Sequence, residues 1–76
     1  MSAIKVTLGQ ELKKAREING FTLRDVENSI GISNAYLSQL ENDKIKNPSA
    51  NILYKLASLY EIKFEELLER AGVISD

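Results

Sequence analysis

Short segments with helical periodicity, each preceded by a capping residue, most constrain how this chain can fold. Thr7, Thr22, Ser33 and Ser49 each stand before a stretch whose apolar residues recur three or four positions apart. A hydroxyl there can accept a hydrogen bond from a backbone N–H that the first helical turn leaves unpaired. The sequence therefore predicts one helix after each of these residues. The segment KFEELLERAG predicts a fifth, with two glutamates in its first turn.

Turn residues separate these segments. Asn19 and Gly20 end the first helix, Gly31 ends the second, and Pro48 cannot continue a helix before it. We expect Gly31 to adopt the left-handed conformation, which glycine takes without strain. Because the connections are short, the sequence predicts an all-α fold, a compact five-helix bundle.

The composition excludes several kinds of active site. The chain has 76 residues and contains neither cysteine nor histidine. A zinc site of Cys and His ligands, and a nucleophile activated by histidine, are therefore impossible. No carboxylate spacing resembles a calcium loop. We predict no metal, no cofactor and no enzymatic activity. Because the apolar runs are short, we expect a soluble, cytoplasmic protein without a membrane span.

The charge is distributed unevenly along the chain. The net charge is −1, but residues 1–60 hold eight Lys and Arg against six Asp and Glu. Residues 61–76 hold two basic residues against five acidic ones. A polyanion would therefore meet the first sixty residues rather than the end.

The second and third segments, joined by the short turn GIS, have the spacing of a helix-turn-helix. Five apolar residues would fix the angle between the two helices: Val26, Ile30, Ile32, Leu37 and Leu40. The start of the third helix would then project from the body, where it could enter a major groove. An ordinary helical hairpin within a bundle would show the same pattern, so the spacing alone leaves both interpretations open.

Four motifs in register add more specific information: LGQELKKAREINGFTLRDV, IGISNAYLSQLENDK, NPS and LYEIKFEELL. In this order and at these separations, the chain resembles the Cro/C1-type (xenobiotic-response-element-like) helix-turn-helix domains of phage and bacterial repressors. The resemblance implies a lambda-repressor-like fold with the helix-turn-helix at about residues 22–42. It also implies an N-terminal arm at 1–6, the domain at 7–72 and a C-terminal tail at 73–76.

The function that this resemblance implies is sequence-specific binding of double-stranded DNA by a transcriptional regulator, most simply a repressor. Five residues match positions that meet base edges in related repressors: Ser33, Asn34, Ala35, Tyr36 and Gln39. Asn and Gln can bond bidentately to adenine, and Ala can touch a thymine methyl group. Tyr36 could contact either a methyl group or a phosphate.

Phosphate contacts are expected around the third helix. The candidates are Thr22, Arg24, Asn42, Lys44, Lys46 and Asn47. Several of these are neutral, which suits an acidic chain because many backbone contacts come from uncharged groups. Arg16 and Glu41 match a pair that forms a salt bridge in related domains, and we expect this pair to position the motif.

Three residues depart from the family pattern. Glu27 stands where alanine is usual, so its carboxylate must reach solvent or find a partner. Leu23 replaces a glutamine that contacts phosphate in many relatives, and we expect it to be partly buried. Lys63 replaces the usual cap of the fifth helix, which should leave the start of that helix weakly held.

Related repressors usually act as homodimers on palindromic operators. The candidate dimer interface comprises Leu67, Leu68, Val73 and Ile74. An alternative is that Leu67 and Leu68 close the bundle. A different function also stays open, in which the acidic fifth helix serves a protein-interaction or antitoxin-like adaptor module.

Overall fold

The computed structural model describes residues 6–72, in which five α-helices and no β-strand are present. The helices are α1 (Leu8–Ile18), α2 (Leu23–Ile30), α3 (Asn34–Glu41), α4 (Ala50–Tyr60) and α5 (Phe64–Arg70). The prediction of an all-α, five-helix fold is confirmed. The proposed arm and tail fall largely outside the described residues, so the domain limits stay a prediction.

The predicted caps account for where four of the helices begin. The Thr7 hydroxyl accepts from the Gln10 backbone N–H at 3.1 Å, and the Gln10 side chain accepts from the Thr7 N–H at 3.0 Å. Thr22 and Asp25 form the same reciprocal arrangement at the start of α2. Ser33 and Ser49 each cap the helix that follows them. Lys63 makes no capping hydrogen bond through its side chain, so α5 lacks this contribution.

The core is a single cluster between the helices. α1 and α2 pack on α3, while α4 packs on α5 and α1. Seven side chains are completely buried in the cluster: Leu12, Val26, Leu37, Leu40, Leu53, Leu56 and Leu67. No helix of residues 6–72 is long and apolar enough to cross a membrane.

One part of the predicted dimer interface is wrong. Leu67 has no exposed surface and belongs to the core of its own bundle, so it is not available to a second copy. Leu68 is half-buried against the same core. Val73 and Ile74 lie outside the described residues. Leu67 thus closes the bundle, as the alternative held.

Among the described residues, five take the left-handed conformation after helix ends: Gly20, Gly31, Asp43, Glu61 and Gly72. Gly31 has φ 77° and ends α2, as predicted. Asp43 (φ 61°) and Glu61 (φ 58°) take the same conformation, which was not expected because residues with a Cβ adopt it less readily. The Asp43 side chain in this conformation accepts hydrogen bonds from Thr7 and Gly9.

Candidate nucleic-acid interface

Helix α3 presents a polar surface because its apolar residues are turned into the bundle. Leu37 and Leu40 are completely buried, whereas Ala35 and Gln39 are exposed. Tyr36 is half-buried and packs partly on the core. Ser33 is exposed, but its hydroxyl accepts from the Tyr36 backbone N–H at 3.1 Å. Around the helix, the half-buried Asn34 and Tyr36 flank the exposed Ala35 and Gln39, and Ser33 stands at the cap.

Asn34, the first residue of α3, is joined to α2 by a side-chain hydrogen bond. Its Nδ2 donates to Oε1 of Glu27 at 3.0 Å, and both side chains are half-buried. Glu27 therefore has the partner that its position requires. The first turn of α3 contains no acidic residue of its own. The Glu27 carboxylate supplies negative charge beside this helix start, where the helix dipole favours it.

Leu23 does not replace the missing glutamine contact. The side chain is half-buried and packs against the core, as expected, so this position offers no polar group to a phosphate. The start of α2 instead offers Thr22 and Arg24, both exposed. The Thr22 hydroxyl already accepts from the Asp25 backbone N–H at 3.0 Å.

The C-terminal end of α3 is held by a largely buried ion pair. Arg16 Nε lies 2.7 Å from Glu41 Oε2, and Nη2 donates to Oε1 at 3.1 Å. The side chains are only 12% and 4% exposed. The hydrogen bond with Glu41 raises the pKa of Arg16. Arg16 Nη1 also donates to the Phe21 carbonyl at 2.8 Å. One guanidinium on α1 therefore binds both the segment before α2 and the end of α3.

Asp43 adds a second attachment at the same end, which the sequence interpretation missed. Its carboxylate accepts from the Thr7 hydroxyl at 2.7 Å and from the Gly9 backbone N–H at 3.0 Å. A Cβ on Gly9 would lie 2.6 Å from the carbonyl oxygens of Leu40 and Glu41. The start of α1 therefore packs directly on the end of α3. A glycine inside a predicted helix was the available signal, since glycine there commonly has a packing reason.

The predicted phosphate-contacting residues form two groups. Thr22 and Arg24 lie at the start of α2, whereas the other four lie at or after the end of α3: Asn42, Lys44, Lys46 and Asn47. All six are exposed. Asn42 Nδ2 donates one N–H to the Ser38 carbonyl at 2.8 Å, which leaves its second N–H available to a phosphate oxygen. Exposed polar groups with basic residues thus stand at the start of α2 and from the end of α3 onward.

Comparison with known proteins agrees with this arrangement. The family described as "Helix-turn-helix domain" matches residues 9–73. The HTH-type transcriptional regulator ImmR of Bacillus subtilis is 35% identical over 68 residues, which are 90% of this chain and 53% of ImmR. The chain therefore spans about half the length of that regulator.

A solved structure of the biofilm regulator SinR in complex with DNA superposes with a TM-score of 0.76 at 29% identity. The match covers 82% of this chain and 98% of that one. A glutamine–fructose-6-phosphate aminotransferase of Methanocaldococcus jannaschii is 39% identical over 64 residues. That segment is 84% of this chain but only 6% of the aminotransferase, so the match does not bear on the reaction of that enzyme.

The fold, the turn between α2 and α3 and the family match lead to one conclusion: this chain belongs to the helix-turn-helix domain family, among the Cro/C1-like domains of transcriptional regulators.

Proposed function

We propose that this chain binds double-stranded DNA sequence-specifically by placing α3 in the major groove, and that it acts as a transcriptional repressor at an operator. The observation that carries the proposal is the division of α3, whose C-terminal end is fastened by Glu41 while Ala35 and Gln39 stay exposed. The DNA-bound relative supports it. We also propose a cytoplasmic location, where the DNA of a bacterial cell lies.

In this proposal the amides of Asn34 and Gln39 read adenine, and the Ala35 methyl group contacts thymine. Ser33, which is exposed, and Tyr36, which is half-buried, complete the proposed set. The hydroxyl of Ser33 can still donate while it accepts from the Tyr36 N–H. Each well-formed bidentate contact is worth about 1–3 kcal/mol of discrimination against a wrong base.

Phosphate binding would come from the groups at the start of α2 and at or after the end of α3. Arg24, Lys44 and Lys46 supply charge, while Thr22, Asn42 and Asn47 supply neutral donors. With about three to five charges engaged, the logarithm of affinity should fall with the logarithm of salt concentration at a slope of about −2.7 to −4.5. Lys44→Ala should make this slope smaller by about one. Lys55→Ala, an exposed lysine on α4, is the matched control and should leave it unchanged.

We further propose that the chain binds a palindromic operator as a homodimer. A single module of this size covers only about 600–1,000 Å² of DNA contact, which limits specificity. With Leu67 in the core, the remaining candidates for the dimer contact are Leu68 and the segment with Val73 and Ile74. Sedimentation with and without operator DNA measures this directly, and a single copy on each half-site without coupling would contradict it.

The deciding experiment is selection of binding sites from random duplex DNA at low and physiological salt, read by sequencing. The proposal predicts an enriched palindrome with half-site centres about ten base pairs apart. Binding that enriches no sequence and disappears as salt rises would contradict base reading. That result would favour the alternative in which the exposed glutamates of α5 bind a protein.

A further inference from the structure

We propose that Glu27 is a positioning residue for base reading: its carboxylate holds the Asn34 amide in the single orientation that favours adenine. The inference rests on the proposed function, because it specifies how one of the base-reading residues is set. Its structural basis is the bond from Asn34 Nδ2 to Glu27 Oε1 at 3.0 Å.

The chemistry of the pair determines the orientation of the amide. A carboxylate only accepts hydrogen bonds, so the group of Asn34 that faces Glu27 must be its NH₂. Rotating the amide by half a turn would bring two oxygens together. Because Glu27 is the one hydrogen-bond partner of the Asn34 side chain among the described residues, it alone selects this orientation.

The remaining groups of Asn34 match adenine. The amide keeps one N–H and the carbonyl oxygen, which are the donor and the acceptor that adenine N7 and N6–H require in the major groove. Guanine presents two acceptors on the same edge, N7 and O6, so the fixed carbonyl oxygen would face O6. A freely rotating amide would discriminate less between the two purines.

Within α2, Glu27 rather than Leu23 is placed to contact the first residue of α3. Leu23 is turned against the core and offers no polar group to a base-reading side chain. Glu27 lies one helical turn further along, and its backbone carbonyl accepts the Gly31 N–H at 2.9 Å, at the turn that leads into α3. The same short connection therefore sets the backbone turn and the side-chain contact.

The carboxylate also predicts a second effect of opposite sign. A negative charge beside the start of α3 repels phosphates, so its removal should strengthen binding to every DNA sequence. A substitution of Glu27 should therefore raise overall affinity while lowering the preference for adenine. A residue that merely stabilised the fold would change neither quantity in this way.

The test uses two duplexes: the selected operator, and an operator in which guanine replaces adenine at one base pair. That base pair is the one at which Asn34→Ala abolishes the preference. For each variant, we measure the ratio of its affinities for the two duplexes. We expect a ratio of about tenfold for the parent. Glu27→Ala and Glu27→Leu should bring it close to one. Glu27→Gln should give an intermediate ratio, because a glutamine can accept from or donate to the amide in either orientation. Glu17→Ala removes an exposed glutamate on α1 and is the control for net charge.

The outcomes separate this inference from the proposed function. A parent that prefers no base pair overturns both. A parent preference that survives in Glu27→Ala but is lost in Asn34→Ala overturns the role of Glu27 alone. A preference for cytosine that is lost in Glu27→Ala but retained in Asn34→Ala also overturns it, since the carboxylate would then read the base itself.

A measurement on the free protein checks the hydrogen bond independently of DNA. In the parent, one of the two Asn34 side-chain amide protons should be shifted downfield and protected from exchange. Both features should be lost in Glu27→Ala and in Glu27→Leu. An Asn34 amide spectrum that is identical in parent and variants would overturn the inference.

Discussion

The two ends of helix α3 are built differently. At the C-terminal end, Glu41 is almost fully buried and paired with Arg16, and Asp43 binds the start of α1. At the N-terminal end, a single side-chain bond joins Asn34 to Glu27, and neighbouring side chains are exposed. The contrast teaches that, within one short helix, some residues attach the helix to the bundle while others are left available to read DNA. Substitutions of the buried anchoring residues should change stability, and those of the exposed side chains of α3 should change DNA recognition.

The largest expected effect is the loss of the buried ion pair. Arg16→Met leaves the Glu41 carboxylate buried without its partner, which should lower the free energy of unfolding by about 3–5 kcal/mol. Urea denaturation followed by circular dichroism measures this change. Lys13→Met, at an exposed position on the same helix, is the control and should change stability by less than about 0.5 kcal/mol. Equal stabilities of the two variants would show that the ion pair does not anchor the C-terminal end of α3.

The next effect tests the close packing of α1 on α3. In a free helix, alanine is favoured over glycine by about 1 kcal/mol. At Gly9 we expect the opposite sign, with Gly9→Ala destabilising by about 1–3 kcal/mol, because its Cβ would meet two backbone carbonyl oxygens at 2.6 Å. Thermal unfolding compares it with Lys14→Ala, an exposed change on the same helix. A more stable Gly9→Ala protein would show that the two helices do not approach this closely.

The exposed side chains of α3 should respond in the reverse manner, including Gln39 near its C-terminal end. Gln39→Ala should lose about 1–3 kcal/mol of base discrimination while its stability stays within about 0.5 kcal/mol of the parent. Asn51→Ala removes an exposed amide from α4 and should alter neither property. The check is a pair of measurements on each variant, operator affinity and urea midpoint. If Gln39→Ala lowers stability and leaves discrimination unchanged, α3 does not divide as described.

The smallest effect concerns the start of α2. Hydrogen bonds from the Thr22 backbone and side chain lower the pKa of Asp25 below its usual value of 3.8. A carboxyl whose pKa is lowered on folding stabilises the protein above its unfolded pKa, and this contribution is lost as pH falls. The melting temperature of the parent should therefore exceed that of Asp25→Asn at neutral pH, and the difference should shrink below about pH 4. A difference that is constant with pH would contradict the charged cap.

Local chemistry made most of the fold predictable. A hydroxyl cap and apolar residues at helical spacing involve neighbours in the sequence, so the starts of α1 to α4 followed directly from the residues. Gly31 likewise needed no tertiary information, because glycine favours the left-handed turn it forms.

Long-range contacts were harder to predict. Asp43 adopts a left-handed conformation while bound to Thr7 and Gly9, more than thirty residues earlier in the chain. The sequence indicated that the Glu27 carboxylate must reach solvent or a partner, but it did not identify that partner. The contact depends on the angle between α2 and α3. Leu67 was misassigned because periodicity marks an apolar side of a helix without telling which neighbour covers it. The resemblance to a family supplied the Arg16–Glu41 pair, which no local pattern contains.

Arg70 carries a further consequence for how this domain can be connected to other domains. Its guanidinium donates to the carbonyl of Val6 at 2.8 Å, so the two ends of the described chain lie side by side. A polypeptide fused before Val6 and another fused after Gly72 would leave the bundle from neighbouring points. Linkers at both ends would then begin close together. A short peptide that joins the two ends could therefore cyclise the domain without changing the order of its helices.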